Sequence, residues 1–386
     1  MTKHIEVLKV ANDIGNSQTK QIINGTLLKQ PSVVKKIMVT PNVSETTLKQ
    51  SIENLFDELL VNITSGAIKR NGMYMIGKRA NITSDQVANM NIKLGEKYKH
   101  DIPILMTLSM NAAYIIQKVF EETNEVPKHL YGQVTMTTAI PASEYTPEKA
   151  KELEDRFSDN KHVVIVYIGN TTCTVELAYT NVKVVQEGVP ALFAILESDS
   201  DILEKYNKEY DKELKPKDFK NKKILHVDIG DGTTEYIYTV GLNPVNDACS
   251  GERRGVGHAT EEARRMLKSE LNGRVNLNRQ QFIEAMRDPS HNLHDDTNRL
   301  MQEAKYSQSQ MILEDIQEKF MTNTSNAAQV IAVYGGGSIQ FEDELYQELI
   351  EFAEEVKIEI LWIPEEYAVD LNVRGMDVLN TKILFK

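Results

Sequence analysis

The chain has 386 residues, 41% of them hydrophobic, and 56 acidic residues against 44 basic ones give a formal net charge of −12. A chain of this length buries a sizeable core and is expected to form two domains. Its acidic surface argues against direct binding to nucleic acid or to an anionic membrane. Cys173 and Cys249 make neither a CxxC pair nor a disulfide framework, which fits a reducing cytosol. No apolar run follows Met1-Thr2-Lys3-His4, and no window approaches ~18 apolar residues. Neither a signal peptide nor a spanning helix is expected, and the protein is read as soluble and cytoplasmic.

Residues 5–20 read as a strand, an acidic residue and a tight turn, followed by a returning strand over 19–23. Asp13 ends the first strand, and Gly15, Asn16 and Ser17 make the turn. Glycine in such a turn accepts positive φ and lets backbone N–H groups approach an anion with no Cβ in the way. Lys20 lies on the returning strand, where its ammonium can reach a β- or γ-phosphate as a point charge. Residues 27–39 continue as β structure, and 45–60 alternate toward a helical pattern. The stretch from Gly72 to Arg79 nearly spells a Walker A loop. Its four intervening residues are bulky strand formers, and Arg79 stands where a magnesium-binding hydroxyl belongs, so it is read as a strand.

Residues 101–121 have core-face helical spacing, with Met106 and Met110 as filler. Residues 132–140 form a strand ending at Pro141, and 147–159 a helix with proline in its first turn. Strands follow at 162–168 and 173–179, and 182–187 leads to Glu187-Gly188-Val189-Pro190, which opens a helix reaching to about 204. Glu187 is either an acid favoured by the helix dipole or a carboxylate facing a ligand.

A second Asp-x-Gly hairpin occupies residues 222–240. Asp228 ends its first strand, Gly230, Asp231 and Gly232 form the turn, and Thr233 and Thr234 add hydroxyls. Asp228 matches Asp13 and Gly230 matches Gly15. Two such devices suggest two related half-domains closing on one polyphosphate. A third glycine-rich stretch, Gly335-Gly336-Gly337-Ser338, follows a strand and precedes a helix from about 342, where bare backbone can pass against a flat nucleoside. The charged excursion over 197–222 lacks the spacing of a calcium loop. His291 and His294 lack a third ligand and are read as a surface loop. Residues 246–257 are polar and lead into a helix over 258–271. Residues 297–320 form a long helix carrying Lys305, 342–356 another helix, and 358–362 a strand.

Together these stretches resemble the actin, sugar-kinase and DnaK-type chaperone superfamily. Residues 13–20 resemble its first phosphate loop, 228–234 its second, and 335–338 its adenosine loop. Stretches 139–145, 186–191 and 254–260 are similar to bacterial plasmid-segregating actins of the ParM and Alp type. The resemblance spans nearly the whole chain and is weakest over about 25–130. It implies an α/β fold of two related ribonuclease H-like domains with a nucleotide cleft between them. Domain I would be 1–185 completed by 364–386, with an insert at about 30–95, and Asn372 and Gly375 lie at a matching place in its return segment. Domain II would be 186–363, with an insert at about 272–300. The resemblance further implies a filament-forming ATPase, with GTP as the other candidate nucleotide. Asp13 and Asp228 would hold Mg2+ through water, Glu187 would position the attacking water, and Lys305 would approach the base. Partners would be further copies of the chain and a small DNA-binding adaptor of ParR type on a plasmid centromere-like site.

Rival readings on the same core were a small-molecule kinase, a chaperone and a cell-shape or division actin. No separate sugar-binding signature is read, a chaperone's large substrate domain is not expected beyond the core, and neither terminal segment reads as a convincing amphipathic helix.

Overall fold

The computed structural model of the protein describes residues 5–41, 47–82, 87–89 and 96–385. The chain divides into two units, Met1–Ala194 with Asn372–Lys386, and Ile195–Leu371.

In the first unit the described strands are β1 (Ile5–Ile14), β2 (Gln18–Ile23), β3 (Thr26–Pro31), β4 (Val33–Ile37), β5 (Leu60–Ser65), β6 (Gly72–Ile76), β7 (Ala88–Asn89), β8 (His129–Ile140), β9 (His162–Ile168) and β10 (Thr171–Gln186). They form one sheet in the order β3-β2-β1-β8-β10-β9-β5-β6-β4-β7. β1 runs antiparallel to β2 and parallel to β8, and β8 runs parallel to β10. The helix Asp101–Thr123 supplies much of the core, burying Ile104, Leu105, Met106, Leu108, Ile115 and Ile116. Each such side chain contributes about 1.5–3 kcal/mol when fully buried. The helix stops at Asn124, which adopts the left-handed conformation that commonly ends helices. By length and mean hydropathy alone it could cross a membrane, but most of that window is buried inside the unit. It is a core helix.

In the second unit the strands are β11 (Lys223–Ile229), β12 (Thr234–Val240), β13 (Asn243–Pro244), β14 (Ser250–Glu252), β15 (Val330–Tyr334) and β16 (Glu359–Trp362). Their order is β13-β12-β11-β15-β16, with β14 on β12. β11 pairs antiparallel with β12 and parallel with β15, and β15 pairs parallel with β16. The path β3-β2-β1-β8-β10 of the first unit is therefore repeated in the second, strand for strand and in the same directions. The helices Val256–Glu270, His294–Thr322 and Glu342–Val356 pack beside this second sheet, around a core that includes Phe282, Phe341 and Trp362.

Several local expectations change. Residues 171–186 form one long strand, because a register shift between Tyr179 and Asn181 lets the polar Thr180 pass without ending the ladder. The helix expected over 45–60 is confined to Leu48–Glu53, capped by Thr47. Residues Lys78 and Arg79 of the near-Walker stretch lie in a short helix, Lys78–Ile82. The helix after Glu187 ends at Glu197. The helix expected from His258 starts at Val256, and His294 begins a long helix rather than sitting in a loop. Gly336 opens a short helix, Gly336–Gln340, ahead of the expected one. Residues 45–46 of the expected helix, and 83–86 and 90–95 of the expected insert, lie outside the described residues.

Candidate functional site

The two hairpins share one register. Asp13 faces Lys20 and Ile14 faces Thr19 across β1 and β2; Asp228 faces Glu235 and Ile229 faces Thr234 across β11 and β12. Each turn closes by the same bond, Gly15 N–H donating to the Gln18 carbonyl at 3.0 Å and Gly230 N–H to that of Thr233 at 2.9 Å. The expected positive φ is absent at Gly15, Gly230 and Gly232. Close approach explains the first two instead: a Cβ on Gly15 would stand 2.6 Å from the Gln18 carbonyl oxygen, and one on Gly230 3.0 Å from that of Thr233.

In the first unit, Ser32 braces the turn. Its N–H donates to the Ser17 carbonyl at 2.9 Å and its hydroxyl to the Gly15 carbonyl at 2.6 Å. Beneath it, Asn12 is held by Gln21, Thr107 and Thr138 in a buried polar network. Lys20 Nζ pairs with Asp13 Oδ2 at 3.1 Å, with both side chains largely buried. Glu187 continues the β10 line: its N–H donates to the Ile140 carbonyl at 2.8 Å. Gly188 N–H donates to Asn372 Oδ1 at 3.3 Å. Gly375 leaves no room for a Cβ against the Pro190 carbonyl, which gives physical content to the place of Asn372 and Gly375 in the return segment.

The Glu187 carboxylate accepts from Lys97 Nζ, and the two side chains are only 14% and 8% exposed. Burial pushes the Glu187 carboxyl above its ordinary range, with Lys97 pulling it back and Asp13 and Glu144 adding to the rise. Burial works against the Lys97 ammonium too, but Glu187, Asp13 and Glu144 outweigh it and hold its pKa above the usual lysine value. Asp13 thus acts electrostatically on both members of the pair. Lys97 carries no sequence signal. It lies 90 positions from Glu187 in a charged stretch, whereas Glu144, which positions its backbone, falls within the 139–145 likeness.

In the second unit the turn is braced by a helix start. Val256 and Gly257 donate N–H groups to the carbonyls of Gly230 and Asp231, and His258 Nε2 donates to that of Gly232 at 2.9 Å. The Asp231 carboxylate is gripped by both terminal nitrogens of Arg279, one of them at 3.1 Å. Thr234 is buried and donates to the Arg254 carbonyl at 3.3 Å. The 254–260 likeness is therefore the brace of this hairpin. The glycine stretch packs on the same hairpin: a Cβ on Gly335 would meet Asp228 Oδ1 and the Ile229 carbonyl at 2.5 Å, while Gly336 is exposed between buried neighbours. Ser338 donates its hydroxyl to the Gly335 carbonyl at 2.8 Å. Lys305 is paired with Glu344 at 3.2 Å.

In each unit the residues present are of the kinds that hold magnesium and phosphate. Each hairpin presents a strand-end carboxylate beside a turn whose first glycine is pressed against a carbonyl. Oxygen donors suit magnesium, which is commonly held by one or two carboxylates together with phosphate and water. Among the described residues no three His, Cys, Asp or Glu side chains gather as a metal cage.

Residues 11–189 match the family described as actin like proteins, N terminal domain, and residues 226–347 match the archaeal actin homologue MreB-like C-terminal family. A search of curated proteins found no match. Among solved structures, the chain is similar to the actin-like protein Alp7A, at 18% identity over 97% of this chain and 96% of that one, with a TM-score of 0.70. It is also similar to Ta0583, an archaeal actin homolog, at 14% identity over 96% and 98% of the two chains, with a TM-score of 0.60. ParM of Bacillus thuringiensis with ATP matches at 14% identity over 97% and 98%, with a TM-score of 0.61.

Proposed function

We propose, from the two actin-like family matches and the fold shared with Alp7A, that the chain is an actin-like nucleoside triphosphatase whose nucleotide cycle controls filament assembly and plasmid segregation. The observation that carries this reading is the repeated hairpin, with Asp13 and Asp228 at one register position and the same turn-closing bond in both units. ParM of Bacillus thuringiensis, which shares this fold, has structures with ATP and with AMPPNP, so ATP is the first nucleotide to test, with GTP beside it.

Phosphoryl transfer asks a protein mainly to position groups and balance charge. A bound magnesium ion would supply charge neutralisation to the phosphates. Asp13 and Asp228 are assigned to hold its water shell, and both hairpins to act on the same nucleotide. Gly15, Asn16, Ser17, Gly230, Gly232 and Thr233 line the two turns. Lys20, with Asp13 as its present partner, adds a cation for phosphate. The Asp231 side chain is committed to Arg279, so its contribution is the shape of the turn. The exposed Gly336 offers bare backbone to a nucleoside, while Gly335 and Gly337 pack the stretch against the Ile229 end of the hairpin. Glu187 orients the attacking water.

Turnover would then set which conformation accepts the next subunit, a differential-affinity switch. The acidic chain would reach DNA through a small basic adaptor of ParR type, in the cytoplasm. The test is light scattering and phosphate release against protein concentration with ATP, GTP and ADP. Scattering with a triphosphate above a critical concentration is expected. Glu187→Ala should bind nucleotide yet release phosphate about 10²–10⁴-fold more slowly. Wild-type release by that variant would remove Glu187 from the mechanism, and turnover that needs a small acceptor molecule and no assembly would overturn the filament reading.

A further inference from the structure

Lys97 is placed by contacts that do not involve its own side chain. The two carboxylate oxygens of Glu144 accept the backbone N–H groups of Glu96 and Lys97, each at 2.9 Å. At the other end of the short turn Lys97–Lys99, Arg156 Nη1 donates to the carbonyls of Tyr98 and His100 at 2.6 and 2.8 Å, and its Nη2 to Asp101 Oδ1 at 3.0 Å. A charged residue thus fixes the turn at each end, while the ammonium of Lys97 meets the Glu187 carboxylate. Glu187 is placed separately, through its N–H on Ile140 and the Gly188–Asn372 bond. Two independently anchored backbones therefore deliver one buried ion pair, with Asp13 and Lys20 in the same neighbourhood.

We infer that Lys97 is a positioning residue for hydrolysis, holding the Glu187 carboxylate in the orientation from which it aligns the attacking water. This rests on the reading of Glu187 given above. A carboxylate buried near two other acids has no electrostatic reason to stay extended toward a water. A fixed ammonium gives it one, occupying one oxygen and leaving the other as an acceptor. Displacing a reacting group by about 1 Å lowers rates by up to ~10²-fold, so the pair acts on turnover rather than on nucleotide affinity.

The experiment compares wild type, K97M, K97R, E187Q and K97M/E187Q in the full chain. It measures phosphate release at saturating ATP, the Kd of a fluorescent ATP analogue, and thermal unfolding. K97M is expected to lower kcat by about 10–100-fold with Kd changed by less than about threefold. K97R should recover most of the loss. Adding K97M to E187Q should leave the residual rate unchanged, since the two act as one unit. K97M strands a buried carboxylate and can unfold; K97M/E187Q removes both charges, so its comparison with E187Q decides the matter in that case. Wild-type kcat in K97M, or an equal loss from K97M in both backgrounds, would overturn the proposal. An impaired E187Q beside an unimpaired K97M would sink the role of Lys97 alone. A fully active E187Q, or a wild type that releases no phosphate, would sink the underlying reading and this inference with it.

Discussion

The two hairpins are one backbone device with two chemistries. Register, turn closure and the strand-end aspartate agree, yet the residue opposite the aspartate is Lys20 in one and Glu235 in the other. The supports differ as well. A single serine, Ser32, holds the first turn, whereas the second rests on the start of the helix Val256–Glu270 together with His258 and Arg279. The repeat therefore preserves where backbone and carboxylate stand, while each unit solves the bracing of its turn separately. The proposed function draws on what the two share, and what differs holds each turn in its own unit.

The largest expected effect that sharpens this contrast is at the glycines. Gly15→Ala would press a methyl to 2.6 Å from a carbonyl oxygen of its own turn, Gly230→Ala to 3.0 Å. The first should destabilise by roughly 2–3 kcal/mol and the second by about 1 kcal/mol, as overpacking against backbone does. Urea unfolding followed by circular dichroism checks both. Equal losses, or a larger one at Gly230, would break the account of why glycine occupies these turns.

A more gradual effect, spread over a range of pH, separates the strands behind the hairpins. Counting back from the aspartates, His226 occupies the register position of Ala11, and both are fully buried. Burial pushes His226 down to about 3, so it is neutral in the fold and titrates near 6.5 when unfolded. Between those values the unfolded chain holds one more proton than the folded one. Stability is therefore intact above pH 6.5 and falls as pH drops toward 3, by up to about 1.4 kcal/mol per pH unit from this group. Trp362, the single tryptophan, lies on β16 of the same unit and reports its unfolding. His226→Gln should flatten the acid limb of a urea series read by Trp362 fluorescence; a limb of unchanged slope would contradict the assignment.

Much of this was legible from local pattern. The paired hairpins, the helix Glu342–Val356 and the strand His162–Ile168 follow from turn residues and apolar period, which act within a few positions. The glycines were legible as special but for a different reason, since sequence cannot tell a left-handed backbone from one crowded by its own turn. Thr180 and Asn181 read as a strand end, because a bulge absorbed by a neighbouring strand leaves no local mark. Lys97 was out of reach for the same kind of reason. Its partner, its clamp by Glu144 and its clamp by Arg156 all come from distant segments.

The proposed function requires Asp13 and Asp228 to act on one nucleotide. Isothermal titration of the chain with magnesium and a slowly hydrolysed ATP analogue tests it most directly, with Asp13→Ala and Asp228→Ala alongside. One site per chain is expected, with affinity lowered by about 10²-fold or more, ~2.7 kcal/mol, in each variant. Two independent sites, or either variant binding at full strength, would contradict it.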